Sequence, residues 1–127
     1  MLQVLAMMDR KILPWEMRSA EALRAAGYKV EFVPRDDINS SADAYVDGIL
    51  FEFKSPEGRT IKCIENNLQK GLKQSKNIVI DSRRVKNVTD RSIENYLVER
   101  ARRKRGIKRL IFINRKARAI DIFSKIR

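Results

Sequence analysis

The sequence predicts a mixed α/β fold in a single domain, with a central sheet covered by helices. Its 127 residues are the usual length of one domain, and 43% of them are hydrophobic, which suffices for one compact core. Segments with helical periodicity alternate with short runs rich in β-branched and aromatic residues. The chain contains no linker, internal repeat or low-complexity segment. We therefore assign residues 1–127 to one domain.

The N-terminal third of the chain predicts a helix followed by a strand. Pro14 begins a helical pattern that runs to about Ala26, and Gly27 provides a natural stop. Residues 28–33 alternate in polarity and are rich in valine and phenylalanine, as expected for a strand. A polar connector over residues 34–41 then leads to a predicted β-hairpin.

The hairpin is predicted from an Asp-Gly turn between two β-prone runs. Its strands cover residues 42–46 and 49–54, joined by Asp47 and Gly48. Asp-Gly favours a two-residue type I′ turn, which fixes the register of the two strands.

The rest of the chain predicts two further helices and three further strands. Apolar residues recur at helical spacing after the loop SPEGRT and again after Asp90, and short apolar runs follow both helices. These elements are a helix at 60–76, a strand at 77–81, a helix at 90–105 and strands at 108–114 and 117–123. The predicted order is therefore α-β-β-β-α-β-α-β-β, typical of a mixed sheet flanked by helices.

The composition excludes several kinds of catalytic site. The chain contains no histidine and one cysteine, Cys63. These counts exclude Ser-His triads, histidine acid–base catalysis, Cys-cluster or His-ligated zinc sites and an internal disulfide framework. An enzyme of this composition must use carboxylates, lysine, hydroxyl groups or a hard metal ion. No apolar run approaches the roughly 20 residues needed to span a bilayer, so we expect no membrane-spanning segment.

The chain is strongly basic, with 28 lysines and arginines against 16 acids and a net charge of +12. This excess favours a polyanionic partner, most simply nucleic acid, over a merely basic soluble or ribosomal-type protein. The densest positive segment is predicted to bind the phosphate backbone. Its cations are Arg100, Arg102, Arg103, Lys104, Arg105, Lys108 and Arg109.

The hairpin carries the strongest candidate for a chemical site. A two-residue turn at Asp47 sets Asp43 opposite Glu52, and alternation then puts Lys54 on the same face. Opposed carboxylates repel each other, and a hard divalent cation between them would relieve the repulsion. The alternative is a solvated acidic face on which Lys54 is an ion-pair partner. Asp47 itself is assigned to the turn, where aspartate is favoured for backbone reasons.

These residues resemble the active-site signature of the PD-(D/E)XK nuclease superfamily, an acid on one strand followed by Glu-x-Lys on the next. Here the acid is Asp43, preceded by Ala42 instead of proline, and the tripeptide runs from Glu52 to Lys54. The predicted element order resembles the αβββαβ core of that superfamily. Within it, VDGILFEFKSPEG with the following Lys/Gln-rich helix and NIVID is similar to C-terminal tRNA-nuclease toxin domains of CdiA-type contact-dependent inhibition proteins.

The resemblance implies a restriction-endonuclease-like core, extended by a C-terminal helix and hairpin, and a set of site residues. Asp43 and Glu52 would bind Mg²⁺ or Mn²⁺, and Lys54 would be the catalytic lysine. A glutamate of the first helix would join them. We favour Glu21 over Glu16, because Glu21 lies nearer the following strand.

The resemblance also implies a function and partners. We expect a metal-dependent endonuclease that hydrolyses phosphodiester bonds, with tRNA favoured over DNA, and with Lys70 and Gln74 contacting the nucleic acid. Such a toxin would act in the bacterial cytoplasm, delivered there as part of a larger secreted or cell-surface protein, and would have a cognate, acidic immunity protein. The alternatives are a DNA-directed nuclease of the same fold, a non-catalytic nucleic-acid-binding domain and a structural basic protein of a ribonucleoprotein.

Overall fold

The computed structural model of the chain describes residues 12–34, 43–103 and 106–126. These residues form three α-helices, six strands and a short 3-10 helix at Ile122–Lys125. No helix among them is long and apolar enough to cross a membrane. The helices are α1 (Pro14–Ala25), α2 (Ile61–Leu72) and α3 (Asp90–Arg102). The strands are β1 (Val30–Phe32), β2 (Ala44–Val46), β3 (Ile49–Lys54), β4 (Asn77–Asp81), β5 (Arg109–Ile113) and β6 (Ala119–Asp121).

The six strands form one mixed sheet whose spatial order, β1-β2-β3-β4-β5-β6, is also their order in the chain. The first three strands pair antiparallel, and β6 returns antiparallel against β5. The pairs β3–β4 and β4–β5 are parallel. Parallel neighbours need a crossover connection, and α2 and α3 provide the two crossovers.

Different helices cover the two faces of the sheet. Helix α1 packs on one face together with Phe51, Phe53 and Val79. Helices α2 and α3 pack on the other face with Ile78 and Ile80. Since side chains alternate along a strand, the sheet separates two apolar cores, and the predicted single α/β domain with a covered central sheet is confirmed.

Helix α2 is shorter than the periodicity predicts. The sequence predicts a helix to residue 76, but the helix ends at Leu72. The carbonyl of Gly71 accepts hydrogen bonds from the backbone N–H groups of Gln74 and Ser75. The Ser75 hydroxyl then accepts the N–H of Asn77 at 3.0 Å. This side-chain bond competes with helix continuation and turns the chain into β4.

The last strand is also shorter than predicted. It ends at Asp121, whose carboxylate accepts the backbone N–H of Phe123 at 3.1 Å and so begins the 3-10 helix. The predicted hairpin start at Ala42 and the predicted helix end at 104–105 lie outside the described residues.

Candidate active site

The hairpin of β2 and β3 has the predicted turn and register. Asp47 and Gly48 have φ values of 50° and 79°, the positive values that a type I′ turn requires. Val46 pairs with Ile49 across the turn, and the ladder continues from there in register. The Asp47 carboxylate accepts the backbone N–H of Lys29 at 2.8 Å. Asp47 therefore serves the turn, as expected.

This register brings Asp43 against Glu52. Asp43 lies just before β2, and its N–H donates to the carbonyl of Phe51 at 2.9 Å. Its Oδ2 atom accepts the backbone N–H of Phe53 at 2.8 Å. Asp43 and Glu52 are only 3% and 5% exposed, and Asp43 is close enough to raise the pKa of the Glu52 carboxyl group.

Burial and mutual repulsion act on the acid pair. The pKa of Glu52 is raised from 4.5 to about 7, first because burial disfavours the charged form and then because Asp43 repels it. Lys54 opposes the shift, with its Nζ atom 3.3 Å from Glu52 Oε2. Lys54 thus offsets the effects of burial and of Asp43 on the pKa of Glu52 only in part.

Asp43, Glu52 and Lys54 line one cavity of about 420 Å³ beside the end of β3. The predicted site residues of the hairpin are therefore brought together in a space large enough for a phosphate group and water. Other polar and aromatic side chains in the wall come from α1, from the loop after β3, from α2 and its end, and from the loop after β4. They are Trp15, Glu16, Ser55, Asn67, Gln74 and Arg84, and Phe53 of β3 also lines the cavity.

Glu16 is the glutamate of α1 that reaches this cavity. It is 2% exposed, and its Oε1 atom accepts the backbone N–H of Leu13 at 3.0 Å, as the third helical residue does in a capping box. Glu21 is exposed, does not line the cavity and lies near Arg24 and Arg83. The first turn of α1, not its middle, faces the end of β3. Glu16, and not the predicted Glu21, is therefore the α1 glutamate in the cavity wall.

Of the two residues predicted to contact nucleic acid from the region of α2, the structure places one in the cavity wall and the other outside it. Gln74 follows the end of α2 and lines the cavity. Lys70 is exposed on α2 and does not line it.

The positive segment lies away from the cavity. Among its described residues, Arg100, Arg102, Arg103, Lys108 and Arg109, none lines the cavity. Arg102 contacts Glu99 at 3.8 Å, and Arg109 borders a second cavity of about 130 Å³ together with Phe51 and Ile111, on the α1 face of the sheet. Lys104 and Arg105 lie outside the described residues.

Sequence reasoning missed Ser55, Asn67 and Arg84. Arg84 lies in the loop after β4, and β3 and β4 are parallel. Parallel strands end at the same edge of a sheet, so the loops that follow them meet there. This rule could have predicted from the sequence that Arg84 lies near the end of β3. No comparable signal marks Asn67, whose side chain donates to the Cys63 carbonyl at 2.9 Å.

The donor set fits a magnesium-type ion held by two carboxylates. Within the described ranges, no group of three or more acidic, cysteine or histidine side chains is arranged to hold a metal. Mg²⁺ commonly takes one or two carboxylates and completes its shell with water and substrate phosphate. Burial and Asp43 raise the pKa of Glu52, and a cation between the two acids would oppose that shift.

Comparison with known proteins identifies the family. No curated protein matches the sequence. A solved structure, the "CdiA-CT/CdiI toxin and immunity complex from Burkholderia pseudomallei", shares the fold with a TM-score of 0.67. The match covers 89% of this chain and 93% of that chain, at 18% sequence identity. The model of the contact-dependent growth inhibition CdiA C-terminal domain matches residues 40–118, which include both acids and Lys54. Since this match covers more than half of the sequence, the chain belongs to the family of contact-dependent growth inhibition CdiA C-terminal domains.

Proposed function

We propose that this CdiA C-terminal domain is a metal-dependent endonuclease of the PD-(D/E)XK type that acts as a toxin. The observation that carries the proposal is the meeting of Asp43, Glu52 and Lys54 in one cavity. The net charge of +12 supports a nucleic-acid substrate. The absence of histidine leaves carboxylates, lysine, hydroxyl groups and a hard metal ion as the available chemistry.

Each hairpin residue has a role in this proposal. Asp43 and Glu52 would hold Mg²⁺ or Mn²⁺, which when bound lowers the pKa of a water molecule and neutralises phosphate charge. Lys54 is oriented by Glu52 and packs against Gly71, whose added Cβ atom would lie 3.5 Å from Lys54 Cγ. From there its ammonium donates to a phosphate oxygen and stabilises the charge that develops during attack. Glu16 adds a third carboxylate to the wall and orients the water.

Family membership supports the more specific parts of the proposal. We infer RNA, and tRNA in particular, as the substrate from the likeness to CdiA-type tRNA-nuclease domains. The similar Burkholderia structure is a toxin and immunity complex, so we propose a cognate immunity protein for this chain as well, acidic because the chain is basic. Delivery as part of a larger surface protein would bring the domain into the cytoplasm of target bacteria.

A cleavage assay with labelled tRNA and plasmid DNA tests the proposal. We expect tRNA cleavage with Mg²⁺ and none with EDTA. Asp43→Asn or Lys54→Ala should each lower the rate at least about a hundredfold, as removal of one transition-state contact does. Asp47→Asn is the matched control. Asparagine can still accept the Lys29 N–H and tolerates positive φ, so this variant should cleave like the wild type.

Three outcomes would contradict parts of the proposal. Cleavage that survives EDTA and both substitutions would exclude the assigned site. Binding without cleavage by the wild type in Mg²⁺ or Mn²⁺ would favour the non-catalytic nucleic-acid-binding domain. Faster cleavage of plasmid than of tRNA would favour a DNA-directed nuclease.

A further inference from the structure

We propose that Arg84, held by Ser55 and Trp15, forms a phosphate-binding subsite beside the acid pair, and that it binds the backbone phosphate next to the scissile one. This inference rests on the proposed nuclease function and adds a substrate-binding group to it. The hairpin signature and the positive segment do not contain Arg84.

The guanidinium of Arg84 is held in a fixed orientation. Its Nε atom donates to Ser55 Oγ at 2.9 Å, and its Nη2 atom donates to the Ser55 carbonyl at 2.8 Å. The ring of Trp15 lies against it, with the ring centroid 5.6 Å from Arg84 Cζ. Ser55 is 8% exposed and directly follows Lys54 in the chain. A cation fixed in this way loses little conformational entropy when it binds an anion.

Arg84 keeps donors available for a ligand. Its contacts with Ser55 and Glu57 use three of the five N–H groups that a guanidinium carries. The Glu57 contact, at 3.3 Å, is to a side chain that is 71% exposed, so water screens it and a phosphate can replace it. A phosphate accepts from the planar edge of a guanidinium in a bidentate, charge-assisted manner.

The neighbouring arginine shows what a purely structural role looks like. Arg83 binds the buried carboxylate of Asp81 through Nε at 3.0 Å and Nη2 at 2.8 Å. Arg84 has no buried acid to neutralise among its described contacts, and it faces the cavity. Its charge is therefore available to a polyanion.

The position of Arg84 in the cavity indicates that its ligand is the phosphate next to the scissile one. Lys54 and Arg84 are the cations among the described residues that line it, and Lys54, which contacts Glu52, is assigned to the scissile phosphate. Nucleic acid presents one phosphate per nucleotide, so a chain whose scissile phosphate sits at the acid pair brings a second phosphate into the same groove. Arg84 is the group placed to receive it.

Binding of fluorescently labelled tRNA in EDTA, across a series of salt concentrations, tests the subsite without cleavage. We expect Arg84→Gln to weaken binding about tenfold and to lower the slope of log affinity against log salt by about 1. Arg118→Gln is the matched control, because Arg118 is exposed in the β5–β6 connection and does not line the cavity. It removes the same charge and should weaken binding less than about threefold.

Two further measurements separate ligand binding from a structural role. In Mg²⁺, Arg84→Gln should raise KM with little change in kcat, because the adjacent phosphate is bound equally before and during reaction. Ser55→Ala keeps the charge of Arg84 but removes one anchor. Ser55→Ala should weaken binding while leaving the salt slope unchanged. If thermal unfolding shows that Arg84→Gln does not fold, Ser55→Ala becomes the test of the subsite.

The outcomes separate this inference from the proposed function. If the wild type cleaves tRNA but Arg84→Gln matches Arg118→Gln in affinity and slope, the subsite is wrong and the nuclease stands. A lower kcat with unchanged KM would overturn the subsite in favour of a structural role for Arg84. A wild type that neither binds nor cleaves nucleic acid would overturn both.

Discussion

Two buried acids of this domain differ in how their charge is compensated. Asp81 is 3% exposed and receives two hydrogen bonds from the Arg83 side chain and one from Ser19 Oγ at 2.7 Å. Glu52 is similarly buried but has Lys54 on one side and another acid, Asp43, on the other. The arginine stabilises the charged form of Asp81, whereas burial and the neighbouring Asp43 raise the pKa of Glu52, which is the kind of perturbation found at functional sites.

The raised pKa of Glu52 predicts a pH dependence of stability in the metal-free protein. The folded pKa is about 7 against 4.5 for the ordinary group. As pH rises, the unfolded chain therefore releases this proton first, and the protonated carboxyl stabilises the fold fully only below about 4.5. That contribution, up to about 3 kcal/mol, is lost as pH rises through about 7.

Glu52→Gln tests this dependence. The variant should remove the decline in the free energy of unfolding between pH 4.5 and 7, and it should be more stable than the wild type at pH 8. Chemical denaturation in EDTA at several pH values measures the effect. Glu31→Gln, on an exposed position of β1, controls for the loss of one carboxylate. Equal pH profiles for Glu52→Gln and the wild type would contradict the assignment.

At the scale of elements, the close approach of α2 to β3 and β4 depends on a glycine. A Cβ atom at Gly71 would lie 3.0 Å from Ile78 Cδ1 and 3.5 Å from Lys54 Cγ. The stem of Lys54 therefore lies in the space that a side chain on α2 would otherwise fill. Helix packing in this way holds the catalytic candidate against the sheet.

Gly71→Leu should damage both packing and cleavage. Overpacking at this contact is expected to cost about 1–3 kcal/mol, and displacement of Lys54 should lower the cleavage rate by more than the stability loss explains. Thermal unfolding and tRNA cleavage measure the two effects. Gln69→Leu adds the same side chain to an exposed position of the same helix and should leave both near wild type. Unimpaired cleavage by Gly71→Leu would show that this contact does not hold Lys54.

Several elements could be predicted from local rules, and their ends could not. The type I′ turn and the hairpin register follow from Asp47-Gly48 and from alternation, and both are confirmed. The buried face of α1 could not be predicted from hydrophobicity, because it includes Glu16 and Ser19. Both polar residues are hydrogen-bonded where they are buried. Glu16 accepts the N–H of Leu13, which lies outside the periodic pattern, and Ser19 donates to Asp81, which lies in another part of the fold.

At the scale of the whole molecule, positive charge is distributed over more than one surface. The described cations of the positive segment are outside the cavity, and Arg109 is on the α1 face of the sheet. A substrate that contacts both the cavity and this segment has to reach beyond the cavity. A large folded nucleic acid meets that requirement better than a short oligonucleotide.

A triple variant tests whether the positive segment binds substrate. Replacing Arg103, Lys108 and Arg109 by glutamine should lower the salt slope of tRNA binding by up to about 3, one for each lost phosphate contact, and raise KM rather than lower kcat. Salt-dependent binding and cleavage kinetics measure this. A control triple at exposed Arg18, Lys86 and Arg91 removes the same charge. Equal effects of both triple variants would show that the positive segment acts only through the net charge of the protein and does not bind substrate directly.

The sequence by itself determined the centre of the candidate site. Turn chemistry and two-residue alternation are local rules, so they place Asp43 opposite Glu52, and Lys54 on the same face, independently of how the helices pack. The composition likewise excluded histidine chemistry. Only the tertiary structure decided the rest. Glu16 and Arg84 line the cavity and Glu21 does not, because the docking of α1 and the meeting of loops at the ends of parallel strands depend on contacts between distant segments. No local periodicity encodes such contacts.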